Sequence, residues 1–184
     1  MPKLELPISE GLYPVPVVLV SCRNKKSAPN IITIAWCGVV CSTPPMISVS
    51  VRPSRHSHSM IRQAGDFVVN VPSSDMIKQT DLCGIVSGAA SDKFKLCNFT
   101  EEPSSKISSP MIKECHVNIE CALRDTVRLG SHDMFIGQVM AIHADSDIVK
   151  NGRIDAAKAM PFVYIHGEYW DVARKIGYYG FSRA

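Results

Sequence analysis

The sequence predicts a β-rich α+β fold, most simply a barrel with helical insertions, formed by one domain over residues 1–184. Short segments rich in β-branched side chains recur along the chain, separated by Gly, Pro and Asn turn signals. Helical patterns are confined to the middle of the chain and to one short stretch near its end. A chain of 184 residues can bury a core without metal or disulfide staples.

The first strands and the turns between them follow from their side chains. Residues 15–22 are nearly all apolar, which predicts a strand buried on both faces, and the polar residues 23–30 suit a hairpin loop. A second strand over 31–36 places Thr33 and Ala35 on one face. Small side chains on that face would let a planar group approach the backbone.

Two prolines at 44 and 45 end this strand because neither can donate to a sheet ladder. Residues 46–52 then alternate, with Ile47, Val49 and Val51 on the core face and Ser48, Ser50 and Arg52 on the other. A short helix over 57–65 is predicted to begin with a serine cap and to end at glycine. Residues 30–61 therefore bring donors to one side, which suits a flat, anionic ligand.

The middle of the chain is predicted to be a strand followed by helices. Residues 66–72 form the strand, and residues 75–85 form a helix capped by Asp75 or the preceding serine. Its packing residues are expected to be Met76, Ile77, Leu82 and Ile85. Residues 92–96 form a further helical turn, and the polar residues 98–110 form a loop.

The second half returns to strands. From Lys113 onwards, apolar residues alternate with His116, Asn118, Glu120 and Arg124, which predicts a strand with one wet face. A turn at 130–133 leads to a strand over 134–143. A short helix over 155–160 and a last strand over 162–165 precede a tail rich in glycine and aromatic residues.

Composition narrows the class of protein. Hydrophobic residues make up 46% and charged residues 20%, as in ordinary soluble proteins, and the net charge of +3 is slight. Aromatic residues are sparse, so a nucleic-acid-binding surface is not predicted. The longest apolar run, 31–41, is too short to span a bilayer, and the N-terminus lacks the apolar core of a signal peptide. We expect a soluble, cytoplasmic protein without a membrane or nucleic-acid partner.

Seven cysteines, an odd number without CxxC spacing, favour reduced thiols over a disulfide framework. Cys37 and Cys41 would lie about 13 Å apart on one extended strand, too far for a disulfide. The favoured interpretation is that all seven cysteines are small, buried hydrophobic residues. The histidines show no HExxH or other ligand spacing, so no metal site is predicted. GxGxxG, GxxxxGK[ST] and GxSxG motifs do not occur in the sequence.

Six segments, taken in order, carry a family resemblance. They are PVPVVLVS (14–21), NIITIAW (30–36), PPMISVSV (44–51), RPSRHSHSMI (52–61), DFVVNVP (66–72) and SG…DKF (87–94). The ordered set resembles the flavin reductase-like FMN-binding split-barrel family, and within it the flavoredoxins. The resemblance implies one split β-barrel domain of Greek-key topology with helical insertions. It also implies a homodimer with FMN near the subunit interface.

The resemblance further implies which residues bind FMN. The isoalloxazine ring would be bordered by Asn30, Thr33, Ala35 and Trp36. The ribityl chain and phosphate would be served by Ser50, Val51, Arg52 and the helix start at His56 and Ser57, where many family members have threonine. Lys93 would reach the flavin or its phosphate tail, and His132 would approach the ring.

Each of these residues also has an ordinary structural interpretation. Ser57 is a favoured cap on any helix, and a helix N-terminus that binds phosphate is the more specific alternative. Asn30 could be a turn residue, Trp36 a core residue, Lys93 a solvated lysine and His132 an exposed turn histidine. The family resemblance shifts the balance towards the binding roles.

The functional hypothesis is an FMN-dependent oxidoreductase that accepts hydride from NAD(P)H and passes electrons to a flavin, a ferric complex or a protein. One alternative is a flavoredoxin-like electron carrier without NAD(P)H turnover, and another is a non-catalytic flavin-binding protein. No catalytic acid or base is assigned. The sequence leaves open the donor, the acceptor, the part played by any cysteine and whether FMN is a tight cofactor or a substrate.

Overall fold

The computed structural model describes residues 1–24, 27–172 and 174–183. Lys25 and Lys26 of the predicted 23–30 loop, and Ala173 of the predicted tail, lie outside the described residues. The strands of the first half are β1 (Val15–Pro16), β2 (Val18–Cys22), β3 (Asn30–Ile34), β4 (Cys37–Ser42), β5 (Pro45–Val51) and β6 (Asp66–Val71). Those of the second half are β7 (Glu101–Glu102), β8 (Met111–Ile112), β9 (Val117–Arg128), β10 (Asp133–Ala144), β11 (Val149–Lys150), β12 (Arg153–Ile154), β13 (Phe162–Ile165) and β14 (Glu168–Asp171). The helices are α1 (His56–Ala64), α2 (Ile77–Ile85), α3 (Lys93–Leu96) and α4 (Ala156–Ala159), with 3₁₀ turns at Ser74–Met76, Ser146–Ile148 and Phe181–Arg183.

Seven strands form one antiparallel sheet in the order β3-β2-β6-β9-β10-β5-β4. Its two edge strands, β3 and β4, are consecutive in sequence and are joined only by Ala35 and Trp36. A two-residue connection cannot cross a flat sheet of this width, because adjacent strands are about 4.8 Å apart. The sheet therefore curls until its edges meet, which confirms the predicted split barrel.

The barrel interior is filled by side chains that point inward from strands on both sides of the β3–β4 connection. Buried residues include Val20, Ile32, Val49, Val51 and Phe67. The predicted core face of β5 is confirmed, since Ile47, Val49 and Val51 are all buried. The buried strand predicted over 15–22 is confirmed only for Val18–Cys22, because every residue of β2 is buried, whereas Val15–Pro16 form the separate strand β1 in another sheet and Pro16 is exposed.

A second apolar cluster lies between the sheet and the helices α2 and α3. It contains Leu19 and Ile31 from the sheet, Cys83 from α2, and Phe94 and Cys97 from the α3 region. A three-stranded sheet, in the order β1-β13-β14, joins the N-terminal and C-terminal segments. None of the helices in the described part of the chain has the length and apolar character needed to cross a bilayer.

The predicted strand over 31–36 is shorter than expected, and a strand was missed. β3 ends at Ile34, and residues 37–42 form the separate strand β4, which pairs with β5. The apolar run 31–41 concealed the break because composition does not change where the chain turns from one sheet edge to the other. Similarly, the strand over 162–165 is not the last, because β14 pairs with it.

Two helix caps were predicted wrongly. The N-cap of α1 is Arg55, not Ser57, which lies inside the helix. A 3₁₀ turn over Ser74–Met76 precedes α2, so its N-cap is Met76, not Asp75 or a serine. The predicted glycine end of α1 is confirmed, since Gly65 adopts the left-handed conformation (φ 75°) and donates its N–H to Ile61.

The packing of α2 and the wet face of β9 also differ from the predictions. Met76 is buried, but Ile85 is 70% exposed, because α2 turns Thr80 and Cys83 towards the sheet instead. In β9, Asn118 and Glu120 are buried, not wet. The segment 103–110 folds over this part of the sheet, and its backbone N–H groups bond to Glu120.

Candidate functional site

Two adjoining cavities lie at the closure of the barrel. The larger, about 430 Å³, is lined by Ile32, Thr33, Ile34, Ala35, Trp36, Ser50, Val51, Arg52, Arg55, His132 and Tyr164. The smaller, about 60 Å³, is lined by Asn30, Ile32, Ser54, Arg55, His56, Ser57, Gly84, Val86, Ser87, Gly88 and Lys93. They share Ile32 and Arg55, so they lie side by side as a wide and a narrow compartment.

The barrel closure itself forms the floor of the wide compartment. The Trp36 carbonyl accepts a hydrogen bond from the Ser50 N–H at 2.9 Å, which fixes the β3–β4 connection on β5. The side chains of Thr33 and Ala35 are small, and both line the cavity. A planar group can therefore approach the strand backbone there.

Trp36 and His132 form one wall of the wide compartment. Their ring centroids lie 4.5 Å apart in an edge-on arrangement, with an interplanar angle of 86°. Burial, together with the positive charge of Arg52, lowers the pKa of His132 below its usual value. The imidazole is therefore neutral at physiological pH.

A buried pair holds the start of β10, directly after His132. Asp133 accepts a hydrogen bond from His58 of α1, with 2.9 Å between Oδ2 and Nε2. Both side chains are buried, and the His58 ring packs on Phe135 with 5.1 Å between centroids. The start of β10 is thus fastened to the helix that forms the narrow compartment.

Lys93 supplies a buried positive charge to the narrow compartment. Its Nζ donates to the carbonyls of Ile31 at 2.7 Å and Cys83 at 2.6 Å. These bonds account for two of its three N–H donors. Burial lowers the pKa of Lys93, and the nearby Arg55 lowers it further. Two cations brought together around a small polar cavity favour an anion there.

The N-terminus of α1 faces the same compartment. None of the described side chains caps the first turn of this nine-residue helix. Exposed N–H groups and the helix dipole favour an anion at such a terminus. Instead of capping, Ser57 is buried, and its Oγ accepts a hydrogen bond from Asn30 Nδ2 at 2.7 Å.

Close packing shapes the opposite wall. A Cβ added to Gly88 would lie 2.0 Å from Oδ1 of Asn30. Only glycine lets the 84–88 segment approach Asn30 this closely. The backbone at Gly88 therefore packs directly against the side-chain amide of Asn30.

The structure brings all of the predicted site residues to this site. Thr33, Ala35, Trp36, Ser50, Val51, Arg52 and His132 line the wide compartment. Asn30, His56, Ser57 and Lys93 line the narrow one. Their predicted roles towards FMN remain predictions, because lining a cavity does not identify its ligand.

Several lining residues were not among the predicted ones. Arg55 stands in the quoted segment RPSRHSHSMI, two residues before Ser57, so its position could have signalled a phosphate contact. Gly88 lies in the quoted SG pair but was not assigned to the site. Tyr164 comes from the separate β1-β13-β14 sheet, and the sequence offers no signal for that placement.

Comparison with known proteins identifies the family. The family model described as "Flavin reductase like domain" matches residues 10–173. The chain belongs to the flavin reductase-like family.

Flavin reductase-like proteins of known structure share the whole fold. The flavoredoxin of Desulfovibrio vulgaris (Miyazaki F) superposes with a TM-score of 0.93 at 30% identity, covering 99% of this chain and 100% of the other. The flavoredoxin from Methanosarcina acetivorans gives a TM-score of 0.89 at 31% identity, covering 98% and 97%. The predicted family and its split-barrel fold are therefore confirmed.

A sequence relative extends the comparison. An uncharacterized protein from Archaeoglobus fulgidus is 34% identical over 146 residues, covering 79% of this chain and 81% of its own length. This similarity supports the family assignment without adding an activity.

Proposed function

We propose that this chain binds FMN in the two adjoining compartments and acts as an FMN-dependent oxidoreductase that takes hydride from NAD(P)H. The electrons would pass to a second flavin, a ferric complex or a protein. The observation that carries the proposal is the shape and charge of the site. A wide cavity over small side chains adjoins a narrow one that is lined by Lys93, Arg55 and a helix N-terminus.

The residues present fit each part of FMN. Thr33 and Ala35 allow the planar ring to lie against backbone, while Ser50 and Arg52 supply polar groups to the lining of the wide compartment. Lys93 and the first turn of α1 provide charged and neutral donors for a phosphate. The anionic end of the ligand and the cationic end of the site therefore correspond.

FMN, when bound, supplies the hydride-accepting ring, and the protein supplies binding, orientation and surroundings. Trp36 and His132 form an aromatic wall on one side of the wide compartment. Because its pKa is lowered, His132 offers a neutral donor or acceptor and adds no positive charge. No side chain needs to act as an acid or base for hydride acceptance.

Titration of apoprotein with FMN tests the binding step. Wild type should bind FMN with the visible absorbance of oxidised flavin. Arg55→Ala should raise the Kd about tenfold, because a hydrogen bond to a charged group contributes about 1.5 kcal/mol. Arg55 is exposed, so the substitution should leave the fold intact.

Arg62→Ala provides the matched control, because Arg62 is an exposed arginine in the last turn of the same helix. It should bind FMN like wild type. Equal Kd values for all three proteins would remove the narrow compartment as the phosphate site, and no FMN binding by wild type would refute the proposed function.

The similarity to two flavoredoxins favours a second candidate, an electron carrier that does not oxidise NAD(P)H. Anaerobic mixing of the FMN-loaded protein with NADH and with NADPH separates the two. Rapid bleaching of the flavin by either nucleotide supports the reductase. Bleaching by neither, in a protein that dithionite still reduces, supports the carrier.

We also propose a homodimer, as the family resemblance implies. Val39 of β4 lies opposite Ile47 in register, so both side chains lie on the same face of the sheet. Ile47 is buried, whereas Val39 is 79% exposed and Met140 and Ile142 of β10 are also exposed. These apolar side chains are suited to contact with a second copy.

A further inference from the structure

Two buried thiols touch beneath the narrow compartment. The Sγ atoms of Cys83, in α2, and Cys97, which ends α3, lie 3.6 Å apart. Cys83 is fully buried and Cys97 is 5% exposed, within the apolar cluster under the helices. A disulfide requires about 2.05 Å between the sulfurs, so an approach of roughly 1.5 Å would join them.

Both thiols are connected to Lys93 through the backbone. The carbonyl of Cys83 accepts the hydrogen bond from Lys93 Nζ at 2.6 Å. The N–H of Cys97 donates to the carbonyl of Lys93 at 3.1 Å. Cys83 therefore contacts the ammonium group of Lys93, and Cys97 contacts its backbone carbonyl. A covalent change at the two sulfurs occurs next to the lysine that gives the compartment its positive charge.

The chain between the two cysteines forms one wall of the compartment. Gly84, Val86, Ser87, Gly88 and Lys93 are five of its eleven lining residues, and all lie between 83 and 97. The part from Gly84 to Asp92 reads GIVSGAASD, in which small residues predominate. Glycines give a segment more alternative backbone conformations than other residues do, so Gly84 and Gly88 raise the entropy that is lost when this wall is fixed in place.

We propose that Cys83 and Cys97 are an oxidative modification site, in which a hydroperoxide converts the dithiol into a disulfide that closes the base of the 84–96 segment and tightens anion binding in the narrow compartment. The affinity effect rests on the proposed FMN site, whereas formation of the disulfide does not. A crosslink at the base removes alternative conformations of the wall, so less ordering remains for the ligand to impose.

The chemistry balances with hydrogen peroxide as the oxidant. One thiol, as its thiolate, attacks a peroxide oxygen, the O–O bond breaks, and a sulfenic acid and one water form. The second thiol attacks that sulfur, the S–S bond forms, and the sulfenic oxygen leaves as a second water. Two thiols are oxidised, and one peroxide is reduced.

Burial sets the rate of this reaction. Removal from water raises the pKa of Cys83 to about 12 and also raises that of Cys97. Since the thiolate is the nucleophile, oxidation should be slow at neutral pH and faster in alkali. Sustained exposure to peroxide, not a brief pulse, should therefore be required.

Peptide mapping after peroxide treatment tests formation of the disulfide. The purified full chain should lose two hydrogens and yield one linked peptide pair joining Cys83 to Cys97. Alkylation in denaturant should then modify five of the seven cysteines, seven minus the linked pair. Cys97→Ser should abolish the product, and Cys83→Ala provides a second variant without introducing a buried hydroxyl.

Cys115→Ser is the matched control, because Cys115 is buried in the same apolar cluster. It should form the Cys83–Cys97 link as wild type does. Absence of the link in wild type after prolonged exposure, or an equal yield of disulfide in Cys97→Ser, would overturn the proposal.

Affinity and hydrogen exchange test the consequence. Oxidised wild type should bind FMN with a Kd at least about threefold lower than reduced wild type, whereas Cys97→Ser should show no change with peroxide. Exchange of the 84–92 amides should slow in oxidised protein without FMN. If amide exchange slows but the protein does not bind FMN, only the proposed function is refuted. If the protein binds FMN and its Kd is unchanged or higher after oxidation, the proposal that the disulfide tightens anion binding is overturned.

Discussion

At the residue scale, Lys93 connects elements of the fold as well as charging the site. Its ammonium bonds to the carbonyl of Ile31 on β3 and to that of Cys83 on α2. Replacing it with alanine would leave two buried acceptors without their donor, which costs about 1–3 kcal/mol for each unsatisfied group. Loss of binding in Lys93→Ala would therefore mix a folding effect with a ligand effect, and Arg55 is the cleaner probe of the compartment.

Gly88→Ala tests whether the wall of the narrow compartment depends on the absence of a side chain. The new Cβ would lie 2.0 Å from Asn30 Oδ1, so either the 84–88 segment or the Asn30 side chain, which donates to Ser57, must shift. We expect a Kd for FMN about tenfold higher, equivalent to ~1.4 kcal/mol, measured by titration.

Gly38→Ala is the corresponding control, since a Cβ there would meet no described atom within 4 Å. It should leave both FMN affinity and unfolding free energy within about 0.5 kcal/mol of wild type. A normal Kd for Gly88→Ala would mean that the 84–88 wall does not contact the ligand.

At the element scale, buried carboxylates fasten the segment 103–110 to the sheet. Glu120 of β9 accepts hydrogen bonds from the N–H groups of Ser105 and Lys106, both at 2.7 Å. Asp66 of β6 accepts from the N–H of Ser108 at 2.9 Å and of Ser109 at 3.1 Å. Because the segment supplies hydrogen bonds to these carboxylates, polar residues of the sheet can be buried beneath it. The alternation of β9 therefore predicted a solvent-exposed face that the structure covers.

Glu120→Gln should destabilise the protein by about 2 kcal/mol at neutral pH, because an amide nitrogen would face a backbone N–H. Burial raises the pKa of Glu120, but the N–H bonds from Ser105 and Lys106 and the contact with His143 outweigh it, so this pKa lies below its usual 4.5. The stabilisation is therefore complete above pH 4.5 and is lost as pH falls through the lower folded value. Urea unfolding from neutral pH to about pH 3 should show the difference between the two proteins shrinking in acid.

Glu114→Gln serves as the comparison. Glu114 is exposed, and its two carboxylate oxygens share one hydrogen bond from the N–H of Thr100, each at 3.0 Å from the nitrogen. It should change the unfolding free energy by no more than about 0.5 kcal/mol. A stability of Glu120→Gln equal to that of Glu114→Gln would show that the segment does not depend on the buried carboxylate.

At the scale of the whole molecule, closure of the barrel creates the site. The β3–β4 connection brings the two sheet edges together, and the wide compartment is lined from both sides of that closure by Thr33 and Ser50. Closure also leaves Val39 exposed on a face that is otherwise interior.

Light scattering at micromolar concentration should give twice the 20.2 kDa mass of one chain. Val39→Lys should shift the protein towards the monomer, since a charge would replace an apolar contact. Ile154→Lys, an exposed apolar residue on the β11–β12 hairpin, should remain dimeric. A monomeric wild type would refute the proposed dimer.

Local patterns were sufficient for much of the fold. The alternation of 46–52 placed three valine and isoleucine side chains in the core, and Gly65 ended its helix as expected. Asp92 caps α3 by accepting from the N–H of Lys95 at 3.2 Å, in the short helix predicted over 92–96. Each of these features depends on residues within a few positions of one another, so the sequence contains the information directly.

The candidate site required more than local patterns. The family resemblance selected the predicted residues, and the hydroxyl and arginine face of β5 supported part of the choice. The pairing of Asn30 with Ser57 spans 27 positions, and the bond from Lys93 to Ile31 spans 62. Contacts at such separations depend on how the chain closes, not on the residues beside them.

The sequence by itself determined a β-rich chain, the faces of its regular strands and the segments that mark its family. Only the tertiary structure decided that residues 35–36 join two sheet edges, that Glu120 is interior, and that Tyr164 reaches the cavity from a second sheet. The physical reason is that hydrophobic periodicity reports which side of an element is apolar. It does not report which distant segment will cover the other side.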